Sequence, residues 1–472
     1  MNSLHLYNSL TNKSEKFKPI DSKNVRMYAC GPTVYSSPHI GNARPLVVFD
    51  VLFRLLKRLY GNVTYVRNLT DVDDKINKRA HERNISIKEL TDEVIEEFHK
   101  STDKLNLLRP THEPRATFHI KEMLNIINLL VQNGFAYVAE GHVLFRVKKL
   151  KNYGQLSKRS LEDMIPGSRV EVAPYKEDPL DFVLWKPSSE NEPSWDSPFG
   201  KGRPGWHIEC SAMSSKYLGK QFDIHAGGQD LIFPHHENEI AQNFGAFGCL
   251  MANYWVHNGL LLVNNQKMSK SLGNIISLDE ILKKYDGEII RYVLLSTHYQ
   301  KTLNWTDQIV NQAKLALDRL YGALESATDT EISQDTENSD DIDNFYDSEN
   351  KVDFESKVTE ALCNNLNTSL ALQELSKIAD KIYKSNDQKE KNLLCYVLKK
   401  EAEILGLLAR KSWFQREAKL SEEEISKLLN ERAQAKAERN FQKADEIRDY
   451  LLQNKIKVED TKDGSVWKVV SD

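Results

Sequence analysis

The segment KMSKSLGN (Lys267–Asn274) sets two lysines and two serines within five residues, just after the apolar run GLLLV (Gly259–Val263). It is too polar for a core and too short for a solvated helix. Two cations on a short polar loop beside a sheet edge suit a partner that carries several negative charges. Far upstream, SPHIGNARP (Ser37–Pro45) lies where the strand-like VRMYACG (Val25–Gly31) gives way to a helical run. A helix N-terminus there offers unpaired N–H groups and the positive end of the helix dipole, which together hold phosphate. Gly41 permits close backbone approach, and His39 can donate to phosphate oxygens. Taken alone, HIGN reads equally well as an ordinary strand–helix turn. Neither G-x-G-x-x-G nor G-x-x-x-x-G-K-[ST] occurs, so neither a dinucleotide fold nor a P-loop accounts for the site. The two motifs together describe attack at the α-phosphate of a nucleotide, where lysines can close on the developing negative charge.

A second constellation could hold a metal. Cys30 ends the first strand, Cys210 closes PGWHIEC, and His235 and Glu239 stand four apart in PHHENE. Spacing of four puts the latter two on one helical face. Two thiolates, an imidazole and a carboxylate form a zinc-type donor set. By spacing alone, buried thiols are the commoner fate of such lone cysteines, because no C-x-x-C pair is present. His236 rivals His235 and Glu237 rivals Glu239, and spacing does not separate them.

The elements that position these residues follow from hydrophobic periodicity. VRMYACG reads as a buried strand, ARPLVVFDVLFRLLKRLYG as a helix and VTYVRNLTD as a second strand. This βαβ rhythm argues for an α/β fold built on a parallel sheet. A turn-rich stretch from about 118 to 200 looks like an insertion. Strand–helix alternation then returns with FDIHAGG and HHENEIAQNFGAF. Ser277 and Glu280 form an expected capping box opening SLDEILKKY. Residues 311–325 and 353–411 look wholly helical, separated by an acidic, apolar-poor segment expected to be disordered. A charged helical pair follows from about 412, and Asp-Gly between two β-like runs predicts a closing hairpin. The expected division is 1–117 (first half of a Rossmann-like core), 118–200 (insertion), 201–265 (second half) and 266–316 (KMSKS loop and stem-contact region). A helical bundle over 317–411, with the acidic loop 326–351, and a tail over 412–472 complete it.

Composition bounds the class. The chain has 472 residues, 40% of them hydrophobic and 28% charged, with a formal net charge of −4. That fits about three globular domains at ~150 residues each. No run reaches the ~18 apolar residues of a membrane span. The opening residues lack a hydrophobic signal segment, so a cytoplasmic location is expected. Five cysteines, scattered at 30, 210, 249, 363 and 395, read as buried thiols or metal ligands rather than disulfides.

The pairing of HIGN with KMSKS, in that order, resembles the two signature motifs of class I aminoacyl-tRNA synthetases. Asn42 stands where that class more often has a second His, and Asn can still donate to phosphate. The blocks MYACGPTVYSSPHIGNAR, YVRNLTDVDDKI, PGWHIECSAM, FDIHAGGQDLIFPHHENEIAQ and KMSKSLGN together look like the cysteinyl-tRNA synthetase family, nearly end to end. The resemblance implies a Rossmann-like core split by an insertion, an α-helical bundle and a small C-terminal anticodon-binding domain. It implies activation of L-cysteine with ATP and Mg2+, then transfer to tRNA(Cys). Residues matching the zinc ligands are Cys30, Cys210, His235 and Glu239, with one Zn2+ per chain binding the substrate thiolate and selecting against serine. Gly31, Thr70, Trp206 and Asp230 fall where the family shapes the cysteine pocket, Asp230 answering the α-ammonium. His39, Gly41, Asn42, Lys267 and Lys270 fall on the ATP motifs. Trp206 as core, and DVDD (Asp71–Asp74) as a solvated turn, remain the plain alternatives. In the tail, the basic stretch Arg432–Lys457 with Phe441 and Trp467 resembles the family's anticodon-binding unit. NNLNT replaces a more acidic stretch common in the family's bundle. A monomer is expected. Two other classes stand beside this reading: a ligase joining cysteine to an amino sugar, whose members lack such a tail, and a zinc-stabilised RNA-binding protein without catalysis.

Overall fold

The computed structural model describes residues 3–164, 173–190, 192–269, 272–326, 356–410, 413–415, 420–461 and 464–469. Three apolar runs read as strands join a fourth that was not, Ala252–Asn258, in a four-stranded sheet. Its order is Ala252–Asn258, Phe222–Gly228, Val25–Ala29, Val63–Arg67, and every neighbouring pair is parallel. Strands this apolar on both faces suit a sheet covered by helices. The helix Ile40–Tyr60 supplies part of that cover, burying Leu46, Val47, Val51, Leu52 and Leu55. Because all four strands run the same way, their carboxyl ends share one edge. Cys30, the segment from Asn68, the segment Gln229–Leu231 and the segment from Gly259 therefore emerge together, where open α/β sheets bind ligands.

The turn-rich stretch holds more order than its composition suggests. Ala136–Ala139, His142–Phe145, Phe182–Pro187 and Gly202–Pro204 form an antiparallel sheet. Asp74 ties this sheet to the first half of the core, accepting from Lys186 Nζ at 2.8 Å and Arg203 at 3.2 Å. DVDD is thus not a solvated turn. Asp71 accepts from the Thr117 N–H at 2.9 Å and from its hydroxyl, and Asp73 caps the helix Asp74–Arg83.

Leu261–Val263 lies in a separate small sheet, paired with Leu303–Trp305 and with Gln266–Lys267. Lys267 is therefore on a strand rather than in a free loop. A helix opens at Leu278 as expected, but the Ser277 side chain does not cap it. The backbone around Ser277 is engaged instead with the Pro38–His39 turn: Ile40 N donates to Ile276 O and Leu278 N to Pro38 O.

Helices Asp307–Leu324, Lys357–Cys363, Thr368–Lys384 and Gln388–Ile404 continue the main core. Buried Arg291 clasps this junction, pairing with Asp50 and donating to the Leu105 and Leu405 carbonyls. The acidic stretch beyond Ser326 lies outside the described residues. Helices Glu422–Ala437 and Phe441–Gln453 and a hairpin, Ile456–Thr461 with Gly464–Val469, enclose a small core of their own around Ile425, Ile447, Leu451 and Ile456. Among the described residues no helix is long and apolar enough to cross a membrane.

Candidate active site and metal cluster

At the carboxyl edge of the parallel sheet lies a cleft of about 480 Å³. Cys30, Gly31, Trp206 and Asp230 line it, together with His39, Gly41 and Asn42 at the start of the long helix. Lys267 and Met268 close it from the KMSKS segment. Two motifs more than 200 residues apart thus share one wall, and they touch. A Cβ on Gly41 would lie 2.7 Å from Met268 Cε and 3.0 Å from the His39 ring, so the two motifs pack closely at this turn.

His39 occupies the N-cap position, and burial lowers its pKa, keeping the imidazole neutral. Its Nδ1 is buried without a partner among the described residues. Asn42 Oδ1 accepts from the His39 backbone N–H at 3.1 Å. The carbonyl end of that side chain closes the helix's first turn, which leaves the NH2 end as its donor. Lys270 lies outside the described residues.

Behind the cleft the four metal-type donors converge, their ligand atoms all within 4.8 Å of one another. Cys30 Sγ and Cys210 Sγ are 3.6 Å apart, Cys210 Sγ and His235 Nε2 3.6 Å, Cys30 Sγ and Glu239 Oε1 3.5 Å, and His235 Nε2 and Glu239 Oε1 3.0 Å. Tetrahedral zinc with ordinary bond lengths would place two sulfurs about 3.8 Å apart, sulfur and nitrogen about 3.6 Å, and nitrogen and oxygen about 3.4 Å. The donor set fits that ion without large movement. Burial pushes His235 down to about 3, so its ring is neutral with a lone pair to give. Its other nitrogen, Nδ1, is 2.9 Å from His207 Nδ1, and the Trp206 ring stacks on it at 4.1 Å. The second Glu239 oxygen accepts from His225 Nε2 at 2.7 Å. Such outer hydrogen bonds orient metal ligands and set their tautomers.

The geometry separates one pair of rivals that spacing left open. Glu237 turns away, accepting from the backbone N–H groups of Leu156 at 3.1 Å and Ser157 at 2.8 Å. His236 stays close, its Nε2 3.3 Å from Cys30 Sγ, and belongs with His225 to an overlapping set sharing Cys30 and Glu239. His235 is the imidazole in the set with both thiols. Sequence reasoning did not single out His207 or His225; they lie beside the motif residues in sequence, but only the fold brings their rings to the ligands.

Of the residues placed in a cysteine pocket, Gly31, Trp206 and Asp230 line the cleft, whereas Thr70 is buried behind it. Trp206 is 39% exposed, which excludes a simple core role. Phe441 is exposed on the tail and Trp467 is half-buried, packed on the tail's own core.

The sequence model of the tRNA synthetases class I (C) catalytic domain matches residues 16–315. The chain is 49% identical to the cysteine–tRNA ligase of Paramagnetospirillum magneticum over 98% of this chain and 99% of that protein. It is 48% identical to that of Beijerinckia indica, over 99% of both chains. The chain belongs to the cysteinyl-tRNA synthetase family. Pelagibacter ubique contains another relative, at 43% identity over 99% of both chains. The fold extends to more distant members of class I. Mycobacterium tuberculosis methionyl-tRNA synthetase bound by methionyl-adenylate aligns over 81% of this chain and 90% of that one, at 14% identity and a TM-score of 0.55. A putative arginyl-tRNA synthetase from Campylobacter jejuni aligns over 82% and 93%, at 13% identity and a TM-score of 0.52.

Proposed function

We propose that this family member activates L-cysteine with ATP and Mg2+ and then transfers it to the 3′ end of tRNA(Cys). The observation that carries the reading is the junction of two sites. Cys30 belongs to the four-donor cluster and also lines the cleft that holds HIGN and Lys267. In the first step the cysteine carboxylate attacks the α-phosphate, an O–P bond forms, and pyrophosphate leaves. His39, the NH2 group of Asn42 and the helix N-terminus face the phosphates, with Gly41 allowing close approach. Lys267 and Lys270 offset the charge that builds at the transition state. Asp230 pairs with the α-ammonium, Gly31 and Trp206 line the pocket, and Thr70 supports it from behind. Zinc held by Cys30, Cys210, His235 and Glu239 would supply a Lewis acid that favours a thiolate over a hydroxyl. In the second step a terminal ribose hydroxyl of the tRNA attacks the adenylate carbonyl and AMP leaves.

In this reading 1–117 and 201–265 form the catalytic core, 118–200 the insertion, 266–316 the KMSKS and stem-contact region and 317–411 the bundle. The tail 412–472 reads the anticodon, and the enzyme works as a cytoplasmic monomer. Cysteine-dependent ATP–pyrophosphate exchange followed by charging of unfractionated tRNA tests it. Exchange without charging points to an amino-sugar ligase; neither reaction leaves only an RNA-binding role.

A further inference from the structure

The two thiol donors come from segments 180 positions apart, and their separation must be held by something other than the chain between them. Cys30 follows the strand ending at Ala29, while Cys210 lies in the helix Trp206–Leu218. Between them runs the segment Asn68–Thr70, just past the strand ending at Arg67. Asn68 Oδ1 accepts from the Gly31 N–H at 2.9 Å. A backbone N–H can only donate, so the amide orientation is decided and Nδ2 is left to donate to Thr70 Oγ1, at 3.2 Å. The single proton of Thr70 then goes to Glu209 Oε2 at 2.9 Å. Asn68, Thr70 and Glu209 are each at most 2% exposed. The chain thus begins one residue after Cys30 and ends one residue before Cys210. Along the way Asn68 Oδ1 lies 3.7 Å from Cys210 Sγ. The fit at Gly31 is tight: a Cβ there would lie 1.7 Å from the Asn68 carbonyl oxygen.

We propose that Asn68 and Glu209 are positioning residues of the metal cluster, setting the spacing of its two sulfurs through Thr70. This rests on the metal reading given above. A buried amide that only satisfied the core would serve with any partners. These hydrogen bonds run instead between the two elements that carry sulfur. Losing outer-shell partners of this kind typically weakens metal binding by roughly 10–100-fold.

The test measures zinc release to a competing chelator from the full chain, with the Co2+-substituted protein read by its sulfur-to-cobalt absorption. Asn68→Ala and Glu209→Ala are expected to release zinc about 10–100-fold more readily and to shift that absorption. Glu209→Gln keeps an acceptor for Thr70 and is expected to stay close to the parent. Should Asn68→Ala fail to fold, the contrast between Glu209→Ala and Glu209→Gln decides. Parent-like zinc retention and cobalt spectrum in folded Asn68→Ala, or in folded Glu209→Ala, overturns the proposal. A parent chain that holds no zinc overturns the metal reading first, and the two failures are distinct.

Discussion

Replacing Cys210 by Ser removes one sulfur and leaves the backbone intact. In the parent that sulfur sits 3.6 Å from both Cys30 Sγ and His235 Nε2. A thiol of pKa ~8.5 is ionised at pH 7 for roughly 2 kcal/mol, at 1.36 kcal/mol per unit. An alcohol taken near water's ~15.7 costs roughly 12 kcal/mol by the same arithmetic. The gap of about 10 kcal/mol is an upper bound, because zinc also accepts neutral hydroxyl oxygen. A quarter of it already corresponds to about 10²-fold in affinity. Cys210→Ser is therefore expected to lose zinc by at least that factor. By the same arithmetic a zinc ion held there would separate cysteine from serine better than shape, which rejects such isosteres by only ~10²-fold. Cys210 is buried, and an unpaired hydroxyl there costs about 1–3 kcal/mol, so the assays belong well below the variant's melting temperature. Elemental analysis after dialysis, paired with pyrophosphate exchange on cysteine and on serine, reads both effects. Metal-free protein that still rejects serine at full activity would refute the reasoning.

In the proposed mechanism, where its charge acts on the transition state, Lys270→Ala is expected to lower kcat in pyrophosphate exchange by on the order of 10²-fold while leaving the cysteine KM nearly unchanged. Equal kcat would remove the lysine from the mechanism. Gly31→Ala must place a methyl against the Asn68 carbonyl and is expected to cost at least about 1–3 kcal/mol in urea unfolding. Removing residues 420–472 takes away a unit with its own small core; exchange should persist and tRNA charging should fall, and unchanged charging kcat/KM would exclude an anticodon role. At Glu113, burial favours the neutral acid, but the hydrogen bond from His99 and the Arg67 guanidinium outweigh it and hold the carboxyl down at about 2. A depressed folded pKa stabilises above the unfolded value and loses that contribution as pH falls through about 4.5 to about 2. Over that window the parent should lose about 3 kcal/mol more than Glu113→Gln at 1.36 kcal/mol per unit, and parallel stability curves would contradict the pairing.

The sequence by itself determined the family and much of the frame. HIGN and the two lone cysteines each had an ordinary reading, and it was the pairing of HIGN with KMSKS and the run of neighbouring blocks that pointed to one family. The long helix and the four apolar strands were legible, apart from Ala252–Asn258, because burial writes its period into the chain. What only the tertiary structure decided are relations between segments. His235 and His236, or Glu237 and Glu239, differ by one or two positions on a turn, and only packing shows that Glu237 leaves for Leu156 and Ser157. The hydrogen bonds of His207 and His225 to ligand side chains cross 28 and 14 positions, and the one from Thr70 to Glu209 crosses 139. Ser277 looked like a cap from its neighbours, yet its backbone pairs with the HIGN turn about 240 residues away. Local propensity cannot foresee such choices, because a side chain takes whichever partner the assembled fold brings within reach.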